Sequence, residues 1–261
     1  MWGFDRLTRS GSRRWKTAWV IGARTGIGLE TAKELCNLCD TVAISARSED
    51  KLSSAEKSAD NIHAFVLDVT NEAEVTETAN KIERQHGNIE LVVISSGVWH
   101  PAELPHLRPE LFRQSMDTNY IGVVNVLAAM TPRMAAAANG HIAIISSVAG
   151  YRGLPNAAAY APTKAALINL AECLQPQLRR MGIAVSLINP GFVETPMTSV
   201  NKFPMPFIQT PQAAAKRIVR GLDHRAYEIA FPKRLVWLLK FFRILPNSVY
   251  FWIVNRFILS R

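Results

Sequence analysis

Residues 17–38 read TAWVIGARTGIGLETAKELCNL, and their reading decides the fold. Residues 17–21 are a short apolar run, the pattern of a buried strand. Gly22-x-x-x-Gly26-x-Gly28 follows, and residues 29–38 have helical character. A strand, a glycine turn and a helix in succession make a phosphate site. Glycines let the backbone approach an anion, and the helix N-terminus offers free N–H groups and a positive dipole end. The spacing departs from the G-x-G-x-x-G dinucleotide fingerprint, so an ordinary tight turn competes with the nucleotide reading at this point.

Outward from there the alternation continues. Strands are expected over residues 41–45, 62–67, 91–95, 141–146 and 183–188. Helices are expected over 49–57, 72–86, 109 to about 134, and 157–181. Strands alternating with helices make βαβ units and a parallel sheet. Right-handed crossovers then give an α/β, doubly wound sheet whose ligand lies at the carboxyl ends of the strands. Gly22, Arg47, Asp68, Gly97, Ser147 and Pro190 all follow expected strands.

Residues 147–164 read SVAGYRGLPNAAAYAPTK. Tyr160 and Lys164 lie one turn apart on one face if this segment is helical. An ammonium beside a phenol favours the phenolate, which suits acid/base chemistry by a group that ordinarily titrates near ~10. The turn holding Gly150, Gly153 and Pro155 can return the Ser147 hydroxyl to the phenol. Alone, Tyr-x-x-x-Lys is also an ordinary solvated helix face.

As an ordered set the motifs are specific. Gly22-x-x-x-Gly26-x-Gly28, Asp68, Asn119, Ser147, Tyr160-x-x-x-Lys164 and Asn189-Pro190-Gly191 with Thr195 resemble the short-chain dehydrogenase/reductase family over residues 17–231. The resemblance implies a Rossmann-like catalytic domain and hydride transfer between nicotinamide C4 and a carbonyl or secondary alcohol. It implies Tyr160 as general acid/base and Lys164 lowering its pKa while holding the nicotinamide ribose. Ser147 would hold the substrate oxygen, and Asn119 would complete a proton relay through a water. Thr195 would contact the carboxamide and Asp68 the adenine. Ile27, Val69, Gly97 and Val193 complete the implied cofactor wall with Gly22, Arg24, Gly26, Gly28, Arg47, Pro190 and Gly191. No metal is implied, since the Ser147 and Tyr160 hydroxyls polarise the carbonyl. A homodimer or homotetramer is implied.

Three positions depart from the family pattern. Ile21 stands where a Thr is usual. Ile94-Ser95-Ser96-Gly97 replaces Asn-Asn-Ala-Gly. Pro162 lies inside Tyr160-x-x-x-Lys164, which is tolerable if the helix starts near residue 157 and so places Pro162 close to the first turn. The cofactor reads as NADP(H) in preference to NAD(H). An NAD site wants an acid after the second strand, and Ala46 stands there, followed by Arg47, with Arg24 in the glycine loop. Two guanidinium groups match a 2′-phosphate, although Glu49 and Asp50 lie near enough to weaken the preference. NADPH use favours carbonyl reduction.

The +9 net charge is unevenly placed. Residues 1–16 carry +4 and residues 232–261 carry +6, which leaves −1 for the body between them. Basic ends on a near-neutral body suggest tails touching an anionic surface. Nucleic-acid binding has no recognition motif to support it. Cys36, Cys39 and Cys173 form no disulfide framework, and Cys36-x-x-Cys39 reads as two packed helix thiols. With no apolar N-terminal segment resembling a secretory signal, a cytoplasmic location is expected. Residues 194–210 are proline-rich and apolar, a substrate lid in which Met197, Phe203, Met205 and Phe207, with Trp99, would line an apolar pocket. Residues 232–245 form a helix candidate carrying Lys233, Lys240 and Arg243 within a sector of roughly 80° at 100° per residue, and residues 248–259 form a second apolar segment. This extension reads as a peripheral anchor on an anionic membrane, a subunit interface or a lid; its longest uncharged run is too short to span a bilayer. The functional expectation is thus an NADP(H)-dependent oxidoreductase acting on an apolar or lipid-type ketone. The alternative is a non-catalytic nucleotide-binding or membrane-associated scaffold on the same fold.

Overall fold

The computed structural model describes residues 14–102, 104–201 and 203–259. Most of the expected basic N-terminal arm lies outside the described residues, and Trp15 and Lys16 already belong to the first strand.

Seven strands, β1 (Trp15–Ile21), β2 (Cys39–Ala46), β3 (Ile62–Val66), β4 (Ile89–Ile94), β5 (Gly140–Ile145), β6 (Ile183–Pro190) and β7 (Glu228–Phe231), form one sheet in the order β3-β2-β1-β4-β5-β6-β7. Every neighbouring pair is parallel. The chain winds outward from β1 to β3, then crosses back to β4 on the other side of β1. A crevice opens at the carboxyl ends of the strands where the order reverses.

The central strands are near-continuous runs of Val, Ile and Ala because they are covered on both faces. One layer packs α3 (Glu72–His86), α5 (Gly122–Ala136) and α6 (Ala161–Arg180) over residues such as Trp19, Val92 and Ile142. The other packs α1 (Gly26–Leu35), α2 (Glu49–Glu56) and α7 (Pro211–Asp223) over Val20, Ile44 and Val93. The C-terminal extension is helical, with α8 (Lys233–Ile244) and α9 (Asn247–Val254); α8 joins the first layer through Leu235, Val236 and Leu239.

The single helix expected over 109–134 is divided. It runs as α4 (Pro109–Met116), a π-helical turn (Asp117–Ile121), then α5. A π turn inserts one extra residue and rotates the side chains beyond it; here it carries Asn119. α1 stops at Leu35, so Cys36 caps it and Cys39 opens β2, and the two thiols do not share a helix. α7 and β7 have no counterpart in the sequence reading. β7 has four residues, too few to show a period.

Candidate active site

The glycine turn lies between the carboxyl ends of β2 and β4. Gly22 N–H donates to Ser45 O at 2.7 Å, and Ser95 N–H donates to Ile21 O at 2.8 Å. Gly22 and Gly26 have φ of +85° and +62°, values at which a Cβ is disfavoured. A Cβ on Gly22 would stand 2.6 Å from Ser96 N, and one on Gly28 would stand 2.4 Å from Gly22 O. Thr25 occupies the N-cap of α1 without a side-chain cap bond. Gly26, Ile27 and Gly28 therefore bring uncapped helix N–H groups to the cleft wall, where an anionic group fits.

The cleft above this turn has a volume of ≈ 530 Å³. Gly22, Arg24, Gly26, Ile27, Gly28, Arg47, Asp68, Val69, Gly97, Ser147, Tyr160, Lys164, Pro190, Gly191, Val193 and Thr195 all line it. Arg24 and Arg47 are exposed there. The Arg47 guanidinium stands 4.0 Å from an Asp68 carboxylate oxygen, and the other Asp68 oxygen accepts the Thr70 N–H and hydroxyl at 3.0 and 2.8 Å. The Ser96 hydroxyl is buried among these groups and has no hydrogen-bond partner among the described residues.

Tyr160 sits at the N-cap of α6, and Lys164 N–H donates to Tyr160 O at 3.2 Å, closing the first turn. Pro162 falls in that turn, where no intrahelical donor is needed, so it breaks nothing. The Lys164 ammonium stands 5.5 Å from the centre of the Tyr160 ring and donates to Ile145 O at 3.0 Å. Ser147 caps the short turn Val148–Gly150, accepting from Ala149 N–H at 3.1 Å. Its hydroxyl reaches Pro190 O at 3.4 Å. Burial pushes the Tyr160 pKa up to about 12, against a downward pull from its hydrogen bond with Ser147. Burial alone takes Lys164 down to about 8. Desolvation disfavours the charged form of both groups, and the ammonium that the sequence sets beside the phenol stands to one side of its ring rather than against its hydroxyl bond to Ser147. The Trp99 ring meets Tyr160 edge to face, centres 5.2 Å apart at 83°.

Asn119 is placed differently from the other expected residues. It is fully buried behind the cleft wall. Its Oδ1 accepts Val98 N–H at 2.7 Å, and its Nδ2 donates to Val98 O at 3.0 Å and Thr163 Oγ1 at 3.1 Å. Both ends of the amide are thus committed to clamping the Gly97–Val98 segment against α6.

A family model described as short chain dehydrogenase matches residues 16–203. The chain belongs to the short-chain dehydrogenase family. It is 32% identical over 240 residues to an uncharacterized oxidoreductase of Myxococcus xanthus, covering 90% of this chain and 95% of that one. It is 31% identical over 219 residues to a 3-oxoacyl-(acyl-carrier-protein) reductase of Thermotoga maritima, covering 82% and 87%. A short chain dehydrogenase from Burkholderia cenocepacia shares the fold with a TM-score of 0.81 at 21% identity, covering 93% and 99%. A variant of actinorhodin polyketide ketoreductase does so with a TM-score of 0.75 at 24% identity, covering 83% and 94%.

In this short-chain dehydrogenase the C-terminal extension buttresses both turns that carry the site. Glu228, opening β7, accepts from Tyr151 Oη at 2.6 Å, Asn189 Nδ2 at 3.2 Å and Lys240 Nζ at 2.5 Å. Burial pushes its carboxyl pKa up, but the bonds from Lys240 and Tyr151 outweigh burial and hold it below the usual range. Tyr151 lies four residues beyond Ser147, and Asn189 precedes Pro190. A Cβ on Gly191 would stand 2.8 Å from Leu235 Cδ2 of α8. Glu228 went unremarked in the sequence, although it is the last acid before the six cations of the tail. Thr198 was missed too; its hydroxyl donates to Val193 O at 2.6 Å and accepts from Thr195 N–H at 3.0 Å, shaping the turn that presents Thr195. Of the expected apolar pocket, Trp99 and Met197 line the cleft, joined by Val200. Phe203 packs instead on Phe192 at 6.0 Å, Phe207 is exposed, and Met205 lies away from the wall.

Proposed function

We propose that this short-chain dehydrogenase is an NADP(H)-dependent reductase of an apolar carbonyl compound. One observation carries the reading: Ser147, Tyr160 and Lys164 share a cleft with a glycine cradle and two exposed guanidinium groups. The residues present fit the cofactor. The cradle admits no Cβ, the first turn of α1 is uncapped, and Arg24 and Arg47 supply positive charge where β2 ends in Ala46 rather than an acid. When bound, NADPH supplies hydride to the carbonyl carbon.

The chain's own groups do the rest. The N–H groups at the start of α1 hold the pyrophosphate, Arg24 and Arg47 the 2′-phosphate, Asp68 the adenine, and Thr195 the carboxamide. Ser147 orients the substrate oxygen. Tyr160 Oη keeps its proton at neutral pH because burial disfavours the phenolate, so it stands ready to donate to the oxygen as charge develops there. Lys164, still mostly protonated at neutral pH, offsets the charge left on the phenol and holds the ribose. A phenol that retains its proton is suited to reduction, since alcohol oxidation needs it as a base. A water relay through Asn119 would use its main chain, both ends of the amide being occupied. Trp99, Met197 and Val200 offer an apolar wall to the substrate. The names of similar proteins point the same way: one is a 3-oxoacyl reductase, and two fold neighbours are complexes with NADPH and NADP.

The test is NADPH consumption over carbonyl compounds of rising chain length, with Tyr160→Phe alongside. Loss of the acid is expected to cut turnover by about 10²–10⁴-fold with NADPH affinity kept. An intact chain that binds NADPH yet turns over no ketone or alcohol would instead be a scaffold on this fold.

A further inference from the structure

α8 is apolar on two opposite faces. Leu235, Val236 and Leu239 are buried against the domain. At roughly 100° per residue, Trp237, Phe241 and Ile244 fall on the other side, where they are 70%, 52% and 77% exposed. The cations that the sequence places in one sector sit differently. Lys240 turns in to Glu228, Lys233 and Arg234 are exposed on either side of the stripe, and Arg243 is exposed at the end of the helix on the side that faces the domain. α9 continues the surface: Tyr250 and Val254 point inward, and Phe251 and Trp252 are 57% and 63% exposed. Ring contacts Phe241–Phe242–Tyr250–Phe251 join the two helices, and the turn Asn255–Leu259 adds exposed Phe257. An apolar surface this continuous marks a contact face.

We propose that this face docks on an anionic membrane surface. It combines exposed Trp and Phe with Lys and Arg, the composition of a segment that lies in the headgroup boundary. Residues 232–261 carry no acid, and Lys233 and Arg234 are exposed beside the exposed aromatic side chains, so an anionic surface complements the face. A second copy does not. A two-fold contact sets a patch against itself, and here it would oppose cations to cations with no carboxylate to pair them. A lid is not what the structure shows either, because among the described residues none after Val200 lines the cleft. The helices are short, with 12 and 8 residues, and no helix among the described residues is long and apolar enough to cross a membrane. The segment therefore lies on the surface.

The docking face is tied to the catalytic cleft. Arg152 Nη2 donates to Asn247 Oδ1 at 2.6 Å, its guanidinium lies 4.5 Å from the Tyr250 ring centre, and Tyr250 Oη donates to Gly153 O. These contacts hold α9 against the loop between Ser147 and Tyr160. The docking itself stands apart from the reductase proposal; only its corollary, that the substrate is drawn from the bilayer, rests on that reading.

The experiment is flotation of the intact chain with vesicles of phosphatidylcholine and phosphatidylglycerol in a three-to-one ratio, and with phosphatidylcholine alone. The triple variant Trp237→Glu/Phe241→Glu/Trp252→Glu, altered only at exposed positions, is run beside it, with NADPH titration and sedimentation equilibrium on both proteins. The intact chain is expected to float with the anionic vesicles, and the variant to bind them at least roughly tenfold less while keeping its NADPH affinity. Failure of the intact chain to float, or equal flotation of the variant, overturns the proposal. So does an oligomer that the variant dissociates while neither protein floats, which would make the face a subunit interface. NADPH binding and turnover report separately on the reductase reading.

Discussion

If Arg47 holds the 2′-phosphate as proposed, replacing it by Ala should separate the two nicotinamide cofactors. The Arg47 side chain is 64% exposed, and its partner oxygen on Asp68 is 4.0 Å away, so freeing it costs only about 0–1 kcal/mol. A charge-assisted bond from the freed guanidinium to a 2′-phosphate contributes about 1.5–3 kcal/mol. The net, discounted for solvent at the cleft mouth, is about 1–2 kcal/mol, or roughly a 5- to 30-fold rise in the NADPH dissociation constant. NADH has no 2′-phosphate, so its affinity should hold. Arg24 remains in the glycine loop, and Arg24→Ala/Arg47→Ala should abolish most of the discrimination. Ala46→Asp is the converse change: it sets a carboxylate at the end of β2, which should weaken NADPH and favour NADH. Quenching of tryptophan fluorescence, with Trp99 in the cleft wall, measures each constant. Equal weakening of NADPH and NADH by Arg47→Ala, or no change in either, would refute the assignment of this cation to the phosphate.

Three further outcomes follow from burial. Burial holds Lys164 at about 8 in the folded chain against 10.5 for the free side chain, so below pH 8 its buried charge costs about 3 kcal/mol, of which the bond to Ile145 O returns about 1–2. Lys164→Met should therefore raise the melting temperature of the cofactor-free protein by a few degrees at pH 7 while abolishing turnover. That gain should fade between pH 8 and 10.5, where the native lysine discharges before the unfolded one; a lower melting temperature at pH 7 would contradict it. His141 is fully buried in β5, its Nε2 lies 2.8 Å from Ser186 Oγ, and its pKa falls to about 3 because burial disfavours the imidazolium. Ser186 gives its own proton to Ala226 O at 2.6 Å, so His141 donates through Nε2–H as the neutral ring. Its contribution is present above pH 6.5 and is lost on acidification at about 1.4 kcal/mol per pH unit. Urea midpoints of His141→Leu should show a shallower acid slope than the parent; an unchanged slope counts against the buried neutral ring. Glu228→Ala strands Tyr151, Asn189 and Lys240 and should cost about 2–3 kcal/mol, with earlier proteolytic release of residues 232–261. Adding Lys240→Met should recover part of the loss, and full additivity would mean the pair is not coupled.

The resemblance that placed Tyr160, Lys164 and Ser147 rested on residue types at set spacings, and the cleft holds all three. Local signals also placed Pro162, which needed only a helix starting close by. Asn119 was named but not located, because a π turn inside an otherwise regular helix leaves no trace in hydrophobic period. β7 and Glu228 were invisible for a related reason. Four residues show no alternation, and a lone carboxylate gains meaning only when Tyr151, Asn189 and Lys240 arrive from distant parts of the chain.

The strand–glycine–helix opening, the βαβ winding and the charge asymmetry of the tail were legible in the residues alone, because each is written in neighbouring positions or in a count. How far the Tyr160 phenol is desolvated could be read only from the folded chain, since desolvation depends on what packs around a group, and here burial pushes its pKa up. Which face of α8 is left over also emerges only on packing, since a helix apolar on both sides does not say which one the core will cover.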